Sequence, residues 1–404
     1  MTRHRGRWTI ADRIASAWHY LPVEVPAGSC GLRVELDYDR TAAVLDLGCC
    51  GPAGFRGWSG GARRSFVITA DAATPGYLGG ELEPGTWQVI IGIHQLPPEG
   101  VEYRLEAQVS SRAGRIAPEP APPPPPPLAG ERPPARALPA RPGRRWLAGD
   151  LHTHTRHSDG AQTVPELARF AAGLGLDFIA VTDHNTVSHH RELPAAAARY
   201  GITLLPGQEV TTAGGHAGAL GEVGWIDFRL PADSWLEQTR RHGGLLSVNH
   251  PIAGHLSWTL AMRERPPLVE VWHWSWLDKR WTLPLAWWLA WDPGAVPVGG
   301  SDWHRPGSDA PPGTPTTWVE CATDGADAVL DGLRDGRVAV SGRRDGPVLL
   351  RSGDEMIAVD AEGTTLMGPD GPRARVRRPR ESFPAAAGHH RLLDDTGATL
   401  ALTH

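Results

Sequence analysis

The chain has 404 residues, a formal net charge of −5 at pH 7 and 41% hydrophobic residues. This length predicts two or three domains, each with its own core. The weakly negative charge argues against electrostatic attraction to nucleic acid or to an anionic membrane. Four cysteines without a zinc-knuckle or disulfide spacing, and the lack of a signal-like or membrane-spanning apolar stretch, predict a cytoplasmic protein.

The N-terminal part alternates apolar and polar residues in short segments that glycine and proline separate. Such segments cover residues 32–36, 43–47, 65–69, 87–93 and 103–109. A period of two predicts β-strands, so we expect a small antiparallel β-sandwich domain over residues 1–113. The polar-aromatic segment 55–61 is interpreted as a tight loop that packs Trp58 on the sandwich edge, with a ligand groove as the alternative.

A proline-rich segment follows. Residues 117–142 are dominated by proline and include an unbroken run at 122–127. Such a run forms a stiff polyproline II connector, so we assign residues 114–144 to a linker. A fragment that begins near Arg141 should therefore fold without the sandwich and keep its metal ions.

After the linker, strand-like segments alternate with helix-like ones. The strand-like segments are residues 177–182, 202–206, 244–248, 268–272 and 295–298, and the helix-like segments include 164–173 and 233–242. This alternation predicts a parallel α/β sheet over residues 145–345, and a barrel rather than an open sheet. Residues 346–404 are predicted to form a β-rich or partly disordered extension.

Twelve of the 18 histidines lie between His152 and His304, and most of these twelve stand close to acidic residues at the carboxyl ends of the predicted strands. His152 and His154 are two residues apart on a strand and so face the same way, and Asp302 and His304 repeat that spacing. Imidazole and carboxylate are ligands for divalent first-row ions. One such pair would arise by chance, but two pairs with three further acid-flanked histidines predict a metal cluster.

Together these motifs resemble those of the PHP (polymerase and histidinol phosphatase) superfamily. The motifs are His152-Thr-His154, Ser158-Asp159-Gly160, Thr182-Asp183-His184, Gly207-Gln208-Glu209, Gly215-His216, Asn249-His250-Pro251 and Ser301-Asp302-Trp303-His304. The resemblance covers residues 146–341 and implies a distorted (β/α)7 barrel with two to three divalent ions, zinc, manganese or iron. The preceding sandwich is similar to that of the CehA/McbA family of carbamate-hydrolysing metallohydrolases.

The resemblance also implies a role for each ligand. One ion would take His152, His154, Glu209 and Asp302, a second Asp159, His184 and His304, and a third Glu209, His216 and His250. Many family members have histidine at the position of Asp159, and an oxygen ligand there favours harder ions such as manganese.

The implied function is hydrolysis by a hydroxide that bridges metal ions, with a phosphate ester as the preferred substrate. Glu209 and Asp302 would serve catalysis as ligands. Arg156 and Arg305 are candidate phosphate clamps, with a solvated surface role as the alternative. The substrate would be a small-molecule ester, with a nucleotide or oligonucleotide as a further candidate, and no stable nucleic-acid or membrane partner is expected. The alternatives are a carbamate or carboxyl ester hydrolase for an aromatic substrate, and a non-catalytic metal-binding or scaffolding module.

Several nearby residues receive other roles. Asp150 and Asp183 are expected to orient ligands or the local backbone. His157 is expected to contact ligands without binding a metal ion itself, or to be exposed. His189 is interpreted as an ordinary polar residue. His273 ends a strand among several tryptophans, so this stretch is predicted to form an aromatic wall or core, with His273 facing the site as the alternative.

Overall fold

The computed structural model describes residues 1–130, 132–307 and 310–404, and its chain divides into two compact units. The first unit contains Met1–Pro123 together with two short segments from later in the chain, Arg156–Asp159 and His184–His189. The second unit contains the remainder. Two of the predicted metal-ligand segments therefore belong to the N-terminal unit.

The first unit is built from two four-stranded antiparallel sheets. Its elements are β1 (Thr2–Trp8), α1 (Ile10–Ala15), β2 (Trp18–Val25), β3 (Gly31–Tyr38), β4 (Val44–Gly51), β5 (Gly54–Gly60), β6 (Ser65–Thr69), β7 (Gly85–Gln95) and β8 (Val101–Ser110). The sheets have the orders β1-β8-β3-β6 and β2-β7-β4-β5. Alternate side chains of both sheets, such as Leu32 and Ile91, join one buried cluster, which explains the period of two in the sequence.

The polar-aromatic segment is a strand and not the predicted tight loop. It forms β5, which pairs with β4 through an irregular register, and its Trp58 is buried. Gly57 allows the segment around Tyr77 to pack closely against β5, because a Cβ at position 57 would come within 2.5 Å of the Tyr77 Cα. Gly57, one of the glycines that suggested a turn, is thus required for close approach inside a sheet.

The second unit is a mixed α/β structure. Its strands are β9 (Arg145–Thr153), β10 (Phe178–Val181), β11 (Thr203–Thr212), β12 (Gly215–Leu220), β13 (Leu245–Asn249), β14 (Leu268–His273), β15 (Val296–Gly300), β16 (Thr316–Cys321), β17 (Val338–Ser341), β18 (Val348–Ser352), β19 (Glu355–Val359), β20 (Thr365–Gly368), β21 (Gly371–Arg375), β22 (Arg380–Pro384), β23 (His390–Leu393) and β24 (Thr399–Thr403). Its helices are α2 (Val164–Gly173), α3 (Leu193–Tyr200), α4 (Ala232–Arg241), α5 (Leu283–Trp291) and α6 (Ala326–Arg334), with 3-10 turns at His190–Glu192 and Gly254–Leu256.

One large sheet carries the predicted site. Its order is β15-β14-β13-β12-β11-β10-β9-β16-β17-β24-β23-β20-β21. The strands β9, β10 and β11 are parallel to one another, as are β13, β14 and β15, but β12 is antiparallel to both of its neighbours. The mixed α/β class is confirmed, whereas closure into a (β/α)7 barrel stays a prediction.

Helix α2 shows why the sequence predicted its bounds so well. Thr163 and Glu166 form a reciprocal capping box at its start, and Pro165 lies in the first turn, where no amide hydrogen is needed. Leu167 and Ala171 are buried on one face of the helix. Capping, proline position and helical period therefore all agree.

The proline-rich segment packs on the second unit from Pro124 onward. Tyr200 donates from its hydroxyl to the Pro125 carbonyl at 2.7 Å, and Trp146 donates from Nε1 to the Pro139 carbonyl at 2.9 Å. Arg136 donates from Nη1 to the carbonyls of Arg344 (2.6 Å) and Gly346 (2.9 Å). Pro125, Arg136 and Pro139 are therefore bonded to residues of the second unit, and the boundaries predicted at 113, 144 and 345 stay predictions.

Strands β20, β21, β23 and β24 continue the large sheet after residue 345, whereas β18, β19 and β22 form a separate three-stranded sheet. Strand β24 pairs with both β17 and β23, and β20 pairs with β23. Within the described residues, no helix combines the length and apolarity that crossing a membrane requires. The cellular location expected from the sequence stays a prediction.

Candidate metal centre

Strand β9 delivers the first histidine pair. His152 lies on the strand and His154 just beyond it, with ring centroids 5.0 Å apart, and both side chains are buried. The His154 amide donates to the Trp303 carbonyl at 2.8 Å. Asp183, after β10, accepts from the amide of Thr155 at 2.9 Å and from its hydroxyl at 2.6 Å. These bonds fix the backbone that follows β9, as the sequence predicted for Asp183.

Glu209 on β11 lies at the centre of the cluster and is fully buried. Its Oε1 lies 3.1 Å from His152 Nε2, 3.3 Å from His216 Nδ1 and 3.3 Å from His250 Nε2. Its Oε2 lies 3.6 Å from His154 Nε2. The position predicted for a bridging carboxylate is therefore surrounded by ring nitrogens.

Asp302 follows β15 and closes the cluster from the opposite side. Its Oδ1 lies 2.9 Å from His154 Nε2 and 3.2 Å from His152 Nε2. The His304 ring stacks on that of His154 at 4.3 Å. Asp302 (φ 51°) and His250 (φ 28°) both adopt left-handed backbone conformations, which are costly for residues with a Cβ and concentrate at functional sites.

A second layer of acids orients this cluster. Glu270 on β14 is buried, its Oε1 lies 3.1 Å from His152 Nδ1, and its Oε2 accepts from the His250 amide at 2.9 Å. Asp150 accepts from the amides of His152 (3.0 Å), Ser301 (3.1 Å) and Gly313 (2.7 Å). A carboxylate at Nδ1 leaves Nε2 of a histidine free to bind a metal.

Glu270 is a functional residue that the sequence reasoning missed. Its signal was a single carboxylate inside the apolar strand segment Leu268–His273, where burial is unfavourable unless the charge is paired. The role predicted for Asp150 agrees with its three backbone bonds.

His273 faces the cluster, which was the alternative left open by the sequence. Its Nε2 lies 3.3 Å from Asp302 Oδ2, and its Nδ1 lies 2.7 Å from Ser275 Oγ. Trp272 and Trp276 are buried, whereas Trp274 is 47% exposed with its Nε1 3.5 Å from Asp302 Oδ2. The stretch therefore combines core, an exposed aromatic surface and one residue of the site.

The acids and histidines perturb one another strongly. Burial alone would lower the pKa of His152, but Glu209, Glu270 and Asp302 outweigh it and hold that pKa well above its ordinary value. Burial alone would raise the pKa of Asp302, but His152, His154 and His273 hold it well below its ordinary value. The cluster therefore favours positive charge on His152 beside negative charge on Asp302. A divalent ion bound to the same atoms would supply that positive charge in place of the proton.

The donor set of the second unit fits a divalent ion. His152, His154, Glu209 and Asp302 offer one ligand atom each, and these atoms all lie within 4.8 Å of one another. Ligands about 2.1 Å from a tetrahedral ion lie about 3.4 Å apart, close to the distances observed here. The buried His152 Nε2 faces the Glu209 and Asp302 carboxylates without a well-aligned hydrogen bond, an arrangement that a metal ion between them would complete.

Asp159 and His184 belong to the first unit. There His184 Nε2 lies 3.6 Å from Asp159 Oδ1, with side chains 21% and 43% exposed. Arg156 belongs to the same unit and is partly buried. The structure thus groups the other seven predicted ligands within the second unit, and it pairs these two in the first. The assignment of individual ions stays a prediction.

The interpretation of His189 as an ordinary polar residue is wrong. Its side chain is fully buried in the first unit, with its ring 5.8 Å from that of His157. His157 is also buried, and its Nδ1 lies 2.7 Å from Ser188 Oγ. The sequence around His189 is rich in polar residues, so local polarity concealed this burial.

Residues 150–227 match the model of the PHP domain. The chain contains a PHP domain. The matched segment begins on β9, two residues before His152, and includes Asp159, His184, Glu209 and His216. The recognition made from the motifs is confirmed at this level, and the similarity to the CehA/McbA family stays a prediction.

Two curated relatives are similar to parts of this chain. A 3',5'-nucleoside bisphosphate phosphatase of Chromobacterium violaceum is 34% identical over 139 residues, which is 31% of this chain and 47% of that protein. A 5'-3' exoribonuclease of Haemophilus influenzae is 38% identical over 63 residues, 16% of this chain and 23% of that protein. The chain spans less than half the length of each of these relatives.

Among solved structures, a two-domain protein of Bacteroides vulgatus, described as containing a PHP-like metal-dependent phosphoesterase, covers 68% of this chain. The match covers 98% of that protein at 16% identity with a TM-score of 0.45.

Proposed function

We propose that the PHP domain of this chain is a metal-dependent phosphoesterase. The observation that carries the proposal is the convergence of the buried His152, His154 and Glu209 with the partly buried Asp302, with ligand atoms within 4.8 Å of one another. Such a set is unfavourable in a metal-free core and gains its partners when a divalent ion binds. This contrasts with a scaffolding module, which would have no physical reason to bury these ligands together.

The centre would hold two to three ions, and zinc, manganese and iron are the candidates. Bound ions would bring the pKa of water close to neutrality and neutralise charge that develops on the substrate oxygens. Glu209 and Asp302 would hold the ions, and Glu270 would keep the Nε2 atom of His152 directed at them. Arg156 would bind the phosphoryl oxygens, since a guanidinium matches their geometry.

The names of the two relatives favour a nucleotide-type phosphate ester as substrate. Both proteins are named for cleaving phosphate esters of nucleosides or of RNA. We propose a small nucleoside phosphate or a short oligonucleotide, because the net charge of −5 gives no general attraction to long nucleic acids.

Four substrates test the proposal on purified protein of known metal content. They are p-nitrophenyl phosphate, bis-p-nitrophenyl phosphate, a 3',5'-nucleoside bisphosphate and an aryl carbamate. We expect phosphate ester turnover that a chelator abolishes and that added manganese or zinc restores. Turnover of the carbamate alone, or of none of the four in metal-loaded protein, would contradict the proposal.

One observation favours a second candidate, a carbamate or carboxyl ester hydrolase for aromatic substrates. Trp274 exposes 47% of its surface while its indole nitrogen lies 3.5 Å from Asp302 Oδ2, so an aromatic group could stack beside the centre. For this candidate, Trp274→Ala should raise KM for an aryl carbamate at least as much as for p-nitrophenyl phosphate. A loss confined to the phosphate would exclude it.

A further inference from the structure

The first unit holds the segment Arg156–Asp159 through a single arginine. Arg63 lies between β5 and β6, and its Nη1 donates to the Ser158 carbonyl at 2.8 Å. Its Nη2 donates to the Arg156 carbonyl. One guanidinium therefore fixes two carbonyls of the four-residue segment that ends at Asp159.

The turn after β6 holds the other segment, His184–His189. The Gly76 amide donates to Ser188 Oγ at 3.0 Å, and the Gly76 carbonyl accepts from Thr186 Oγ1 at 2.9 Å. The side chain of Thr186 is fully buried and that of Ser188 is 1% exposed. Gly76 has φ 100°, and a Cβ there would come within 2.9 Å of the His157 carbonyl. Only glycine permits this approach.

A further bond connects the two segments to each other. His157 Nδ1 lies 2.7 Å from the same Ser188 hydroxyl that accepts from Gly76. Arg63 thus bonds to the segment that ends at Asp159, and Gly76 bonds to the segment that begins at His184. His157 and Ser188 connect these two segments. We call these four residues the loop support.

From this arrangement we infer that Arg63 and Gly76 are positioning residues for Asp159 and His184 as metal ligands. The inference rests on the proposed metal centre and adds to it a role for the N-terminal sheets. Asp159 and His184 lie 3.6 Å apart although they are 43% and 21% exposed, so burial alone does not fix them. Ligands must be held within about 0.5 Å of their geometry, and hydrogen bonds of the loop support supply that restraint.

Metal affinity of the full-length chain tests the inference independently of any substrate. Manganese is titrated into protein stripped with a chelator, and stoichiometry and chelator competition are measured for wild type, Arg63→Ala, Arg63→Lys and Ser188→Ala. Arg64→Ala is the matched control, because Arg64 is the neighbouring residue and its side chain is exposed.

We expect Arg63→Ala and Ser188→Ala to weaken one manganese site by about 10- to 100-fold, as loss of a supporting hydrogen bond does elsewhere. Arg63→Lys should weaken that site less, because an ammonium can still donate to one carbonyl. Thermal unfolding of the metal-free variants should stay close to that of wild type. Excess manganese should restore their occupancy.

The inference would be overturned if Arg63→Ala and Ser188→Ala bind manganese as tightly as wild type. It would also be overturned if these variants weaken every metal site equally, or if Arg64→Ala weakens binding as much as they do. Weakening that only follows a lower unfolding temperature would also overturn it, since that indicates a general packing role. If wild type binds manganese as expected but hydrolyses no phosphate ester, the proposed function fails while the positioning inference stands. If wild type binds no divalent ion, both fail.

Discussion

At the scale of single residues, Glu209 has the most contacts with other predicted ligands. Its two oxygens lie within 3.1 to 3.6 Å of ring nitrogens from His152, His216, His250 and His154. Asn249 donates from Nδ2 to Oε1 at 3.0 Å. Removing its charge therefore affects several ligands at once.

We predict that Glu209→Gln lowers both metal affinity and phosphate ester turnover by at least about 100-fold, since a neutral amide of the same shape binds cations poorly. Metal content and kcat measured on the same preparation check this. His255→Ala, at an exposed histidine of the same unit, is the control. His189 is unsuited to that purpose because it is buried. Similar rates in the two variants would contradict the ligand assignment.

Asp46 on β4 provides a pH-dependent contribution that is separate from the cluster of the second unit. Burial raises the pKa of its carboxyl from 3.8 to about 7, against a lowering by the Gly61 amide and by His184. Because the folded-state pKa is raised, the contribution to stability is complete below about 3.8. It is lost as the pH rises through about 7.

We predict that Asp46→Asn is less stable relative to wild type at about pH 5 than at about pH 8. The difference in unfolding free energy should change by on the order of 2 kcal/mol, because Asp46 is only partly buried and solvent screening reduces the full effect of the pKa shift. Urea unfolding in chelator at both pH values measures it, with Asp71→Asn, at an exposed residue, as control. An unchanged difference would show that Asp46 titrates normally.

At the scale of elements, the distance between β15 and the ligand strands decides the geometry of the centre. Gly300 ends β15, and a Cβ there would lie 2.2 Å from Glu270 Oε1 and 2.5 Å from the His152 Cβ. Both neighbours are buried, so neither can move away freely. A glycine is required where three strands supply the site at close approach.

We predict that Gly300→Ala loses metal affinity at least about 10-fold, since it displaces His152 and the Glu270 carboxylate that orients it. The metal affinity measured by titration and the midpoint of unfolding should both be lower than in wild type. Gly173→Ala is the matched control, because Gly173 ends α2 and the nearest atom to an added Cβ is 3.8 Å away. Equal metal affinity in the two variants would show that β15 can shift without cost.

At the scale of the whole molecule, the division into units does not follow chain order. Segments Arg156–Asp159 and His184–His189 come from the PHP region of the sequence but belong to the N-terminal unit. The second unit begins at Pro124, before the predicted linker ends at residue 144. A fragment starting near Arg141 would therefore lose contacts that the sequence did not indicate.

We predict that a fragment of residues 124–404 folds and is more stable than one of residues 141–404, by roughly 3 kcal/mol. The longer fragment keeps the bonds from Arg136 to two carbonyls and the one from Trp146 to Pro139. Urea unfolding measures the difference. Both fragments should bind one ion at His152, His154, Glu209 and Asp302, and bind weakly at Asp159 and His184. Equal stability would show that the proline-rich segment contributes nothing.

The sequence by itself determined the local features. Helix α2 and strand β6 have the predicted bounds, because capping, proline position and alternation are properties of neighbouring residues. The spacing of His152 and His154 placed both side chains in one cluster for the same reason. The ordered motifs likewise sufficed to recognise the PHP domain.

Only the tertiary structure decided what depends on residues distant in the chain. Strand β12 is antiparallel because it follows β11 through a tight turn, which the periodicity of a buried strand does not reveal. Glu270 meets His152 across 118 positions, and Arg63 reaches Ser158 across 95. Such pairs leave no mark in local composition, since each residue is ordinary in its own segment and acquires its partner only when the strands pack.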